Sequence, residues 1–125
     1  MRNAECGLRN NDLRARTKAF ALSTIRLVES LPRSRTVDVV GKQLLHCGTS
    51  VGSNYRSACR ARSQADFVAK MGIVEEEADE SLYWLELLIE AGTVEKHRVE
   101  KLMSEANELV AIAVTSIKTA RRTSR

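Results

Sequence analysis

Residues 63–92, which read SQADFVAKMGIVEEEADESLYWLELLIEAG, decide the fold class. Their apolar side chains recur at steps of three and four, the period of one face of an α-helix. Ser63 followed by Asp66 resembles a capping box, and Gly92 suits the left-handed position that follows a helix. The stretch therefore predicts one uninterrupted helix over residues 63–91. Its inward positions are Phe67, Met71, Val74, Ala78, Leu82, Leu85 and Leu88 or Ile89.

Two further amphipathic segments precede this helix. Asn11 or Asp12 can cap a first helix, which should end near Leu31 because Pro32 cannot continue it. A second helix follows a short connection at residues 33–36. The predicted inward positions are Leu13, Thr17, Phe20, Thr24, Val28 and Leu31 in the first helix, and Val37, Val40, Leu44, Cys47, Val51, Tyr55 and Ala58 in the second.

A fourth segment follows Gly92. Thr93 can cap it, and its apolar positions keep the helical spacing almost to the basic tail at residues 121–125, which we expect to fray. Four amphipathic helices with short connections predict an all-α, antiparallel up-down-up-down four-helix bundle. At 125 residues the chain suits a single domain, 1–125, with a core at about 12–120.

Three glycines, Gly41, Gly48 and Gly52, lie on the second helix. Each interior glycine costs on the order of 1 kcal/mol relative to alanine. The missing side chains would let another helix backbone come close, which is the explanation we favour. A kink around residues 48–52 is the alternative.

Composition restricts the cellular setting. No run approaches the roughly 20 apolar residues that cross a bilayer, and residues 1–11 contain no apolar signal segment. The three cysteines, Cys6, Cys47 and Cys59, are odd in number and form no CxxC pair, so neither a disulfide framework nor a zinc site is predicted. We expect a cytoplasmic protein without a membrane partner.

Charge is segregated along the chain. Residues 1–62 hold 12 Lys/Arg and 4 Asp/Glu, whereas residues 63–110 hold 4 and 12, and the formal net charge is +4. In an antiparallel bundle this places a basic half of the surface beside an acidic half. The arrangement would serve pairing of helices or subunits, or attraction of a polyanion.

Several short motifs resemble one known family. They are SVGSNYR at residues 50–56, RARSQADF at residues 60–67, and Glu80 and YWL at residues 83–85 in the long acidic helix. Together with Pro32 after the first helix, they resemble the four-helix-bundle proteins encoded in intervening sequences of bacterial 23S ribosomal RNA genes. The resemblance covers roughly residues 13–118 and marks Ser50, Asn54, Ser63, Asp66, Phe67 and Glu80 as motif positions.

By fold, that family is similar to the accessory proteins of diversity-generating retroelements. Those proteins form pentameric barrels with a positively charged surface and bind nucleic acid and a reverse transcriptase. The resemblance implies a homo-oligomer, specifically a homopentamer, that binds RNA or DNA. It implies no catalytic activity and no cofactor.

Catalytic patterns are scarce in the sequence. The acidic run Glu75, Glu76, Glu77, Asp79 and Glu80 places carboxylates three residues apart, as all-α nucleotide pyrophosphohydrolases do to hold magnesium. This magnesium-dependent hydrolase is our alternative function. It needs a second acidic pair, for which the first two helices offer only isolated carboxylates. Neither histidine forms a Glu-x-x-His pair, so we assign no catalytic residue and no metal ligand.

Basic residues of the second helix are the candidate nucleic-acid contacts. They are Arg56, Arg60 and Arg62, with Lys42 and Arg35 upstream. The planar guanidinium group pairs well with phosphate oxygens. No aromatic side chains interleave with them, so we expect contact with the nucleic-acid backbone and little sequence preference.

Overall fold

A computed structural model describes residues 4–123 of the chain and the side chains of residues 12–123. This part of the chain forms four helices: α1 (Ala4–Ser30), α2 (Arg35–Cys59), α3 (Gln64–Glu90) and α4 (Lys96–Thr123). Each packs against the next one along the chain, and α1 also contacts α4. The prediction of an all-α four-helix bundle is confirmed. No helix in residues 4–123 is both long and apolar enough to cross a bilayer.

The ends of α3 agree with the sequence prediction. The Ser63 hydroxyl accepts a hydrogen bond from the Asp66 amide at 3.1 Å, which caps the first turn. At the other end, Gly92 has a φ of +77°. The amides of Gly92 and Thr93 donate to Ile89 and Leu88, which is the Schellman pattern. Local chemistry therefore sets both ends of this helix.

Two predicted boundaries at the start of the chain are wrong. The first helix begins at Ala4, so Asn11 and Asp12 lie inside it rather than capping it. The residues before them include good helix formers and no proline, so nothing there stops the helix. The second helix begins at Arg35, inside the predicted connection, because the Ser34 hydroxyl accepts from the Val37 amide at 3.1 Å.

The start of α4 also differs from the prediction. Thr93 does not cap it, since the amides of Thr93 and Val94 donate back to Leu88 at 3.0 and 3.3 Å. Val94 is buried, which ties this connection to the core before α4 begins at Lys96. The helix continues to Thr123, so residues 121–123 are helical, and residues 124–125 of the expected frayed tail lie outside the described part.

The core follows the predicted inward faces closely. In α1, Leu13, Thr17, Phe20 and Thr24 are buried, whereas Val28 is half-buried and Leu27 is buried instead. The buried apolar residues form two clusters. One extends from Leu13 past the middle of the bundle, and the other surrounds Leu44, Leu85 and Val99 near the α1–α2 and α3–α4 connections.

The seam between α1 and α4 is held by polar contacts. Arg16 donates two hydrogen bonds to the Glu105 carboxylate, at 2.7 and 2.9 Å, and one to Glu108 at 2.9 Å. Farther along, Arg98 donates to the Ser30 hydroxyl at 2.9 Å. These bonds lie on the side of α1 that faces α4. The site described below lies on the side of α1 that faces α2.

Candidate nucleic-acid interface

The contact between α1 and α2 depends on two glycines of α2. A Cβ at Gly48 would lie 2.6 Å from two atoms of the Thr24 side chain, and a Cβ at Gly52 would lie 3.3 Å from Thr17 Oγ1. Both threonines are buried and donate to carbonyls one turn earlier in α1. The predicted close approach is found at Gly48 and Gly52, whereas a Cβ at Gly41 would make an ordinary contact 3.5 Å from Val28. The helix α2 is continuous from Arg35 to Cys59.

A basic groove opens beside this contact. Its volume is about 720 Å³, and its floor includes Thr17 and Gly52. Arg14 and Lys18 of α1 lie on one wall, and Arg56 and Arg60 of α2 lie on the other. Each pair is spaced four residues apart, which places both members on one helix face. Four cationic side chains therefore line a single groove.

The remaining lining suits an anion. Thr49, Ser53 and Ser57 of α2 complete the polar lining, and none of the described residues that line the groove is acidic. Arg14 Nε is buried and has no hydrogen-bond partner. A buried N–H without an acceptor carries a free-energy cost that a phosphate oxygen would relieve. The groove thus combines positive charge with an unsatisfied donor.

The five basic residues predicted from sequence do not form one patch. Arg56 and Arg60 line the groove, while Arg62 is exposed just beyond the end of α2. Lys42 and Arg35 are exposed on the first half of that helix. At 1.5 Å per residue, they lie roughly 21 and 31 Å along the axis from Arg56.

Sequence reasoning missed Arg14 and Lys18. Their four-residue spacing marks one face of α1, but many basic pairs on solvated helices share that spacing. Only the packing of α1 on α2 shows that they face Arg56 and Arg60.

The first part of the family-like motif acts within its own helix. Asn54 is half-buried, and its amide donates to the Ser50 carbonyl at 2.9 Å. Ser53 donates to the same carbonyl at 3.2 Å. These bonds involve the turn of α2 that carries Gly52 against α1.

The second part of the motif forms the junction between α2 and α3. Besides donating to Ser63, Asp66 accepts from the Arg62 amide at 3.4 Å and lies 3.9 Å from the Lys70 ammonium. Phe67 is buried in the larger core cluster. The junction therefore combines a helix cap with an apolar anchor, a few residues after Arg60.

The acidic run lies on α3, away from the basic groove. Glu76, Asp79 and Glu80 are exposed, and Glu75 and Glu77 are half-buried. Within the described side chains, the run contributes only Glu77 to a group of three possible metal ligands. The other two members are His46 and Cys47 rather than carboxylates.

Two adjacent aromatic residues of α3 differ in their exposure to solvent. Tyr83 is 53% exposed, whereas Trp84 packs against the smaller core cluster. Their rings meet edge to face with centroids 5.1 Å apart. Tyr83 therefore adds an aromatic surface outside the groove.

Comparisons with known proteins agree with this architecture. Residues 9–115 match the family described as 23S rRNA-intervening sequence protein. A 1.70 Å crystal structure of a protein with unknown function, from the S23 ribosomal protein family of Bacteroides thetaiotaomicron, is 34% identical with a TM-score of 0.79. The similarity covers 84% of this chain and 97% of that chain. No curated protein matches the sequence.

Proposed function

The chain belongs to the 23S rRNA-intervening sequence protein family, and we propose that it is a non-enzymatic helical scaffold that binds the backbone of RNA or DNA. In this proposal residues 1–125 form a single domain, and copies of the chain associate into a homo-oligomer. The observation that carries the proposal is the groove between α1 and α2, where Arg14, Lys18, Arg56 and Arg60 converge.

The groove favours a polyanion over a small charged metabolite. Its cations lie on two walls, so successive phosphates of one chain can each meet a different side chain. No aromatic side chain is among the described lining residues, so bases have no platform on which to stack. Binding should therefore depend on charge and be nearly independent of base sequence.

Self-association is supported by apolar side chains on the outside of the bundle. Among the side chains of residues 12–123, the large apolar ones that are more than a third exposed are Leu22, Ile25, Val39, Ile73 and Tyr83. Large exposed apolar residues gain free energy when a second copy covers them. The number five comes from the family resemblance alone. In a ring of subunits the groove would be repeated, so that several weak phosphate contacts made at once would give a measurable affinity.

The magnesium-dependent hydrolase is less well supported. That chemistry needs carboxylates from two helices converging on the metal ions. Glu76, Asp79 and Glu80 face solvent, and the groove on α1 and α2 is basic. These observations favour the scaffold.

Fluorescence anisotropy with a labelled single-stranded RNA and a labelled DNA duplex tests the groove. The variant Arg56→Glu with Arg60→Glu should lose binding. The matched control, Arg35→Glu with Lys42→Glu, makes the same charge change on the same helix outside the groove and should retain most of it. Wild-type affinity should fall steeply with salt, and each lost phosphate contact should reduce the log-log slope by about 0.7 to 0.9.

Two outcomes would contradict the proposed groove. Equal losses in both double variants would mean that diffuse positive charge attracts the nucleic acid. A wild-type protein that binds neither probe at low salt would exclude the nucleic-acid function itself. Sedimentation equilibrium tests assembly separately. A species of 13.9 kDa at micromolar concentration would be a monomer and would contradict self-association. A dimer would contradict only the number five.

A further inference from the structure

A second cluster of chemically active side chains lies where α2 packs on α3. His46 and Cys47 are adjacent on α2, and Glu77 comes from α3. The ligand atoms of the three residues all lie within 4.8 Å of one another. We propose that His46, Cys47 and Glu77 bind one divalent cation of the zinc type at this seam.

The donor types select the class of metal. One imidazole nitrogen, one sulfur and one carboxylate oxygen form the mixed set that Zn²⁺ accepts, whereas magnesium and calcium prefer oxygen ligands alone. With a neutral imidazole, a thiolate and a carboxylate, the ligands carry two negative charges. A dication neutralises them, so the bound site has no net charge in a partly buried position.

The three ligand atoms must move slightly closer together to bind zinc. Zinc bonds of about 2.0 to 2.3 Å in a tetrahedron separate ligand atoms by roughly 3.3 to 3.8 Å. Cys47 is 1% exposed and held in the core, so it provides the fixed ligand. His46 is exposed and Glu77 is half-buried, and both side chains can rotate toward it. The exposed side leaves a fourth position for water or another ligand.

Without a bound cation, the surroundings of Cys47 disfavour the ionised form of its thiol. Burial, followed by the charges of Glu80 and Glu77, raises the pKa of its thiol to about 12. Glu80 lies one turn beyond Glu77 on α3, and its charge adds to that of Glu77 at this thiol. Among the described side chains, neither Glu77 nor Glu80 makes an ion pair with a lysine or arginine. Two unpaired carboxylates beside a buried sulfur are an environment that a metal ion would stabilise.

Binding displaces one proton. The Cys47 S–H bond breaks as the sulfur–metal bond forms, and the proton is released to solvent. No electron is transferred. The metal would link α2 to α3 without using any residue of the basic groove.

Cobalt titration of the reduced, chelator-treated full chain tests the site, because Co²⁺ is a spectroscopically visible substitute for zinc. Wild type should bind one Co²⁺ per chain and show a thiolate-to-cobalt charge-transfer band that Zn²⁺ abolishes. Cys47→Ser should lose the band, and His46→Asn should weaken binding about tenfold or more. The controls Cys59→Ser and His97→Asn should retain both the band and the affinity.

The outcomes are decisive even if Cys47→Ser fails to fold. His46 is exposed, so His46→Asn should preserve the helical circular-dichroism signal, and unchanged affinity in that variant would overturn the proposal. Absence of a charge-transfer band in wild type at millimolar Co²⁺ would also overturn it. Persistence of the band in folded Cys47→Ser would place the metal elsewhere.

Discussion

Replacing Gly48 by alanine tests the contact between α1 and α2. The added Cβ would lie 2.6 Å from Thr24 Cγ2 and Oγ1 and 2.9 Å from Thr24 Cβ. Thr24 cannot turn away easily, because it is fully buried and its hydroxyl donates to the Phe20 carbonyl at 2.8 Å. The two helices must therefore separate, or Thr24 must break its hydrogen bond.

The magnitude follows from two opposing effects. Alanine in a helix interior is favoured over glycine by about 1 kcal/mol. Overpacking a filled core typically costs about 1 to 3 kcal/mol. Gly72 in α3 is the matched control, since nothing lies within 4 Å of a Cβ built there. Gly72→Ala should stabilise the protein by up to about 1 kcal/mol, and Gly48→Ala should be less stable than Gly72→Ala by about 1 to 3 kcal/mol.

Equilibrium urea denaturation followed by circular dichroism measures both variants at one protein concentration, so that any concentration-dependent contribution from assembly is compared under the same conditions. Adding Thr24→Ala deletes two of the three atoms that the new Cβ would meet, so the double variant should show a favourable coupling free energy. If Gly48→Ala is as stable as Gly72→Ala, the close approach of α1 and α2 does not exist in solution.

Two further predictions concern stability. Leu85 is fully buried in the smaller core cluster, so Leu85→Ala should lower the free energy of unfolding by about 2 to 5 kcal/mol, and an unmoved urea midpoint would contradict its placement. The raised pKa of Cys47 means that the unfolded thiol ionises first, near its usual 9.0. In the presence of chelator, the stability due to this thiol is therefore complete below pH 9 and declines toward pH 12, a decline that Cys47→Ala should lack in paired denaturation curves.

Much of the fold was predictable because its signals are local. Ser63 caps α3, Gly92 terminates it, and Pro32 follows α1, and each acts through backbone chemistry within a few residues. Predictions failed where local signals competed. Thr93 has the chemistry of a cap, but the burial of Val94 and the hydrogen bonds to Leu88 delay the start of α4.

The candidate sites were only partly predictable. The sequence predicted one basic group of five residues, of which only Arg56 and Arg60 line the groove. Arg62, Lys42 and Arg35 lie outside it. A charge count along the chain cannot tell which cations share a concave surface. The partners of a groove come from the neighbouring helix, and their identity depends on how the two helices pack.

The amino-acid sequence by itself determined the four helices and their inward faces, because helical period, capping and chain breaks act over one or two turns. Tertiary packing alone decided that Arg14 and Lys18 face Arg56 and Arg60. It also brought Glu77 to His46 and Cys47. Each of these groups joins residues about 30 to 45 positions apart, and such residues meet only when the apolar faces of neighbouring helices are buried together.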